Sequence, residues 1–175
     1  MSSIAKFTFG FYFPTLTKMV GQPRRFFNAM PPDLGVKKSM GFLIVSSLFF
    51  TLASLARTEP GNAVLCGSIF FVNALGMALI AAGVSYGIMV MFIGKKITWA
   101  GFVNIYALST GVTLLASWIP FFIWVTEPWK WWLIGTGMTR TFGFTRLQAG
   151  FLIGVSFGII VLLFWSLGLA VSTGR

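Results

Sequence analysis

The 175-residue sequence is 57% hydrophobic and only 9% charged, with a mean hydropathy of +0.88 and a net charge of +10. That balance lies outside the soluble range, and connections this short leave no room for a separate soluble domain. With no histidine, one cysteine (Cys66) and three carboxylates, this chain alone excludes a histidine-held haem, a His/Cys metal cluster, a Ser-His-Asp triad and an internal disulfide. No catalytic residue, metal ligand or cofactor held by the chain's own ligands is expected.

In chain order, residues 1–38 form an N-terminal interfacial segment. No cleavable signal peptide is expected, because the first apolar run, Phe7 to Phe13, is short and aromatic and lacks a small-residue cleavage site before Pro14. Phe7, Phe9, Phe11 and Phe13 alternate with a strand-like period, yet aromatic residues beside a membrane often lie at headgroup level, and the conformation stays open. The run Gln22-Pro23-Arg24-Arg25-Phe26-Phe27-Asn28-Ala29-Met30-Pro31-Pro32 is more definite. Pro23 suits a first helical turn, Phe26, Phe27 and Met30 share a face, and the proline pair stops the helix. A short in-plane amphipathic helix with Arg24 and Arg25 toward lipid phosphates is expected. The alternative is a linker whose aromatic residues cover the end of a bundle.

Residues 39–172 read as an all-α transmembrane domain of five helices: Ser39 to Ala56, Val64 to Ile93, Trp99 to roughly Ile123, a shorter one around Trp129 to Phe144, and Gln148 to Ser172. A spanning helix needs about 20 mostly apolar residues, so the second and fifth have length to spare. Glu127, Pro128 and Lys130 interrupt the fourth, which suits a short span, a re-entrant half-helix or an interfacial segment. Pro120 is expected to break or kink the third. Trp118, Trp124, Trp129, Trp131 and Trp132 are expected at the outer interface, as an aromatic belt or as a platform for a quinone, pigment or lipid headgroup.

With five spans and an internal N-terminus, Lys6, Lys18, Arg24, Arg25, Lys37, Lys38, Lys95, Lys96, Arg140 and Arg146 fall on one side. Arg57, Lys130 and Arg175 fall on the other. Positive residues stay in the cytoplasm during insertion, so this asymmetry places the N-terminus in the cytoplasm and the C-terminus opposite, with a bacterial inner membrane as the expected location. Because the charges are spread over membrane-edge loops, anionic lipids are the expected partner and nucleic acid is not. Arg24, Arg25, Phe26, Phe27, Lys37, Lys38, Lys95 and Lys96 are the candidate lipid-headgroup and interface residues.

Gly83 with Gly87, and Gly150, Gly154 and Gly158, repeat at the four-residue spacing that lets membrane helices approach closely. They are expected to pack inside the bundle, with an oligomer seam as the alternative. Mild polar residues occupy the spans: Asn73, Ser85, Asn104, Ser109, Thr110, Thr113 and Ser156. Asn73 and Asn104 are expected to bond across helices. No charge lies near the middle of a span, which disfavours ion-coupled transport. Asp33, Glu59 and Glu127 read as solvated loop charges.

The Pro-Arg-Arg-Phe-Phe box before the first span resembles the bacterial branch of the Yip domain family, the Ypt-interacting-protein-like polytopic membrane proteins. Further matching elements follow in order. They are Gly94-Lys95-Lys96-Ile97-Thr98-Trp99, Trp118-Ile119-Pro120, Trp129-Lys130-Trp131-Trp132-Leu133 and Gly143-Phe144-Thr145-Arg146-Leu147-Gln148-Ala149. The similarity covers about residues 20 to 172. It implies five transmembrane helices and a cytoplasmic N-terminus. Eukaryotic members act in vesicle traffic with Rab-type GTPases, but their Asp-Leu-Tyr-Gly-Pro signature does not occur in this sequence.

Tiny loops without catalytic groups suit a non-catalytic membrane subunit that scaffolds, anchors or helps assemble a larger integral complex, of which an energy-converting or electron-transfer complex is one class. Its partners would be lipids and other integral membrane subunits. The alternatives are a small passive carrier or pore for a lipid or neutral solute, and a membrane-organising Yip-like trafficking protein.

Overall fold

The computed structural model describes residues 9–31, 34–57 and 61–173, with side chains described as far as residue 166. Lys6, Phe7, Pro32, Asp33, Glu59 and Arg175 lie outside the described residues. Seven α-helices follow one another: α1 Phe9–Gly21, α2 Pro23–Ala29, α3 Val36–Arg57, α4 Ala63–Ile88, α5 Trp99–Ser117, α6 Ile123–Thr141 and α7 Arg146–Thr173. No strand occurs among the described residues.

Local chemistry sets the ends of these helices. Asn62 caps α4 by accepting from the Leu65 N–H at 3.0 Å, and Thr98 caps α5 by accepting from the Gly101 N–H at 3.3 Å. At α7, Thr145 accepts from the Gln148 N–H while the Gln148 side chain accepts from the Thr145 N–H, a reciprocal capping box. Helix α4 runs on into a π-helical turn, Met89–Ile93, closed by Gly94 in the left-handed region (φ 65°) with its N–H on the Met89 carbonyl.

Four helices are long and apolar enough to cross a membrane: α3, α4 with its π turn, α5 and α7. Helix α6 is not among them by composition. The structure starts the fourth segment earlier than the expected Trp129 to Phe144 and makes it longer. It runs from Ile123 to Thr141, 19 residues, the same length as α5. At ~1.5 Å per residue that is roughly 28 Å, close to the bilayer's hydrocarbon thickness. Glu127 and Lys130 do not interrupt α6 because they lie one turn apart and pair at 2.6 Å. Glu127 is therefore a helical residue and not a loop charge. Pro128 falls in the second turn, where it removes one backbone donor.

The third span ends at Ser117, six residues earlier than expected. Pro120 does not kink it but lies in the turn to α6, where Phe121 adopts φ 64°.

Helix α5 stands at the centre, with 78% of its apolar window buried, against 33% for α3, 17% for α4 and 22% for α7. It packs on α3, α4 and α6, while α7 lies outside against α4 and α6. Two contacts define the bundle's ends. At one, Lys95 Nζ donates to the Gly143 carbonyl at 2.7 Å, joining the α4–α5 and α6–α7 connections. At the other, Arg57 donates to the Trp118 carbonyl at 3.1 Å, joining the end of α3 to the α5–α6 turn.

The N-terminal segment folds onto the first of these ends. Phe9, Phe11 and Phe13 belong to a helix, in which Tyr12, Thr15 and Met19 recur at helical spacing and are buried; Phe7 lies outside the described residues. Tyr12 stacks on Phe42 at 4.7 Å and its hydroxyl meets Ser46 at 3.0 Å, so α1 leans along the first half of α3.

Candidate functional site

The basic end is the most differentiated surface of the molecule. Pro23 occupies the first turn of α2, as expected, and the helix stops at Ala29. Its two faces diverge: Arg24 and Arg25 are exposed, Phe26 is half-buried, and Phe27 is fully buried. Phe27 is therefore no lipid-facing residue. It sits where α6 passes α5, beside Gly137, and Thr141 donates to its carbonyl at 3.0 Å. The arginines of α2 point outward while its aromatic side covers the bundle.

The other basic candidates differ in their engagement. Lys37 and Lys96 are exposed. Lys38 lies 5.8 Å from the Phe11 ring centre. Lys95, half-buried, sits 4.5 Å from the Phe144 ring centre while it bonds the Phe142 and Gly143 carbonyls. This places a cation on the orphan carbonyls that follow a helix C-terminus.

Besides a hollow between the π turn and the start of α7, lined by Phe92, Ile93, Leu147, Gln148 and Phe151, two more open at this end. One, about 430 Å³, lies between α1 and α2 and is lined mainly by apolar groups, with Lys18 and Arg25 at its edge. Arg25 also donates to Gln22 at 3.1 Å. The other, about 340 Å³, is a groove between α6 and α7 where Arg24, Arg140 and Arg146 converge. In the sequence, Arg140 and Arg146 bear only on the topology. Their meeting follows from the short Phe142-Gly143-Phe144 connection, in which Gly143 takes φ 62° and turns the last turn of α6 toward the first of α7.

Deeper in the bundle the polar groups join helices. Asn104, 1% exposed, donates to the Leu34 carbonyl and accepts from Ser39, tying α5 to α3 and to the segment ahead of it. Tyr106, Ser85 and Ser156 form a chain of hydroxyls linking α5, α4 and α7, with Ser85 and Ser156 2.6 Å apart. Asn73, by contrast, faces outward, contrary to the cross-helix role expected of it.

The glycines separate in the same way. A Cβ at Gly150, Gly154, Gly158 or Gly87 would meet nothing within 4 Å, so these positions pack on no neighbouring helix among the described residues. Gly83 alone of the expected set touches a neighbour, the Trp99 ring at 3.6 Å. The close approaches are at other glycines, where an added Cβ would lie 2.6 Å from the Phe142 ring at Gly101, 2.7 Å from the Phe42 ring at Gly111 and 2.8 Å from Ile105 at Gly137. The expected tryptophan cluster also disperses. Trp118 donates to the Leu115 carbonyl, Trp131 packs edge-on to Phe157 of α7, and Trp132 lines the groove about 12 Å along α6 from Trp124.

A family model for the Yip1 domain matches residues 18–168. The chain belongs to the Yip1 domain family. The match enters within α1 and leaves within α7, so this Yip1 domain takes in the cap α2, the basic groove and the central helix α5 as one unit. No curated protein and no solved structure matches the chain.

Proposed function

We propose that this Yip1-domain chain is a non-catalytic integral membrane subunit that scaffolds, anchors or helps assemble a larger membrane complex. It has five spans, with α6 as the fourth, and its basic end and N-terminal cap face the cytoplasm. The observation that carries the reading is the sorting of side chains between inside and outside. Asn104, Tyr106, Ser85 and Ser156 are consumed in bonds between helices. The outer faces carry bulky apolar groups such as Leu65, Ile69 and Val72 on α4 and Phe157, Leu162 and Phe164 on α7. Surfaces of this kind suit lipid or another apolar subunit. A carrier would need a lined path, and the central helix, the natural wall for one, is closed over most of its length.

Family membership favours a second reading, a membrane-organising protein of the Yip type. The α1–α2 segment supports it by adding bulk to one end of the bundle only.

The test is purification from native membrane in mild detergent through a C-terminal tag, followed by native mass spectrometry. Stoichiometric membrane subunits are expected. A protein that emerges alone, or only with itself and lipid, ends the assembly reading and leaves the membrane-organising one. Reporter fusions after Phe122 and after Gly143 check the span count, and opposite sides are expected for the two.

A further inference from the structure

We infer that the groove between α6 and α7 binds the phosphate of an anionic glycerophospholipid from the leaflet at the basic end, with Arg24, Arg140 and Arg146 as its ligands. The inference needs only the membrane placement and stands apart from the assembly role.

Three helices each bring one guanidinium to the same groove: Arg24 from α2, Arg140 from the last turn of α6 and Arg146 from the first turn of α7. Like charges gathered in one hollow repel unless an anion joins them. Among the described residues none of the three has an acidic partner: the salt bridge there is Lys130 with Glu127, near the far end of α6. Arginine's planar fork suits a phosphate, which accepts several such bonds at once.

The groove has a second polar element. Thr136 is only 9% exposed and lines the hollow together with Thr139.

The walls decide between a free ion and a lipid. From the arginines the groove continues along α6 to Trp132 and along α7 to Gly150 and Ile153, about 12 Å along α6 from Arg140. Phosphate alone would use only the basic end, whereas a phospholipid also covers the apolar wall. Gly150 has no neighbour within 4 Å, so its missing side chain leaves the floor open.

The experiment titrates detergent-purified full-length protein with dioleoylphosphatidylglycerol, with dioleoylphosphatidylcholine as the zwitterionic lipid and inorganic phosphate as competitor, read by native mass spectrometry. Selective retention of phosphatidylglycerol is expected. The double variant Arg140→Gln/Arg146→Gln should weaken it about tenfold or more, from the loss of charge-assisted bonds. Lys18→Gln removes the same kind of charge from the same end outside the groove and should leave binding unchanged. Gly150→Leu keeps all three arginines and fills the floor, and should also weaken binding. Its mass and melting transition should match the parent's, since Leu is the better helix former there. Equal binding of the two lipids, an effect of Lys18→Gln as large as the double variant's, or full binding by Gly150→Leu would overturn the assignment. So would displacement of the lipid by millimolar phosphate, which would make the groove a free-phosphate site.

Discussion

Helices α5 and α7 are both apolar spans, yet they occupy opposite positions. The less apolar, α5, is the most buried of the four candidate spans, and the most apolar, α7, has only 22% of its window buried. In water the order would be reversed. In lipid, apolar surface gains nothing by leaving a solvent that is itself apolar, so small and hydroxyl-bearing residues mark the interior and bulky ones the exterior. Gly111, Ser109, Thr110, Thr113 and Asn104 on α5 are all buried, whereas Leu162, Leu163, Phe164 and Trp165 on α7 are all exposed.

The sharpest way to break this contrast is to put bulk where α5 meets α3. Gly111→Leu forces a side chain into the Phe42 ring, 2.7 Å from where its Cβ would sit. It should cost about 3 kcal/mol in detergent unfolding followed by tryptophan fluorescence. Asn104→Leu comes next, because it leaves the Leu34 carbonyl without its donor and the Ser39 hydroxyl with only the Val36 carbonyl of its own helix. A loss of about 1–2 kcal/mol is expected in the same assay. Asn73→Leu, on the outward face, should change little, and comparing the two measures how much of the asparagine effect is burial. Ser156→Ala removes α7's link to Ser85 and should cost only about 0.6 kcal/mol, the usual size of a hydrogen bond between membrane helices. Smallest of all, Gly154→Leu should stay within ~0.5 kcal/mol of the parent, since nothing lies within 4 Å of the added Cβ. A large loss there would mean that α7 has a packed partner in the membrane.

The spans were legible where a single apolar run decided them, as in α4 and at the Trp99 start of α5. They were misread where polar signals compensate one another locally. Glu127 and Lys130 look like interruptions in a string of letters, but on a helix they neutralise each other. Pro120 could equally have kinked one long helix or separated two, and hydropathy carries no information on which. Helix α1 was hidden because aromatic alternation and Pro14 spoke against the buried Tyr12, Thr15 and Met19 pattern. Of the groove's three arginines only Arg24 is among the candidate headgroup residues, while Trp132 and Gly150, which also line it, are expected in other roles. Arg140 and Arg146 are adjacent through a turn, but α2's arrival beside them depends on packing more than a hundred residues apart in sequence. The glycines show the same limit most plainly: four-residue spacing identifies a smooth face, and only the arrangement of the helices determines what that face meets.

Phe27 has a bearing on the order of events during synthesis. Its carbonyl accepts from Thr141, 114 positions later, and its ring rests against Gly137. At about 5–20 residues per second, a ribosome releases those partners on the order of ten seconds after Phe27 itself. The cap of this protein can therefore be seated only after α6 has been made.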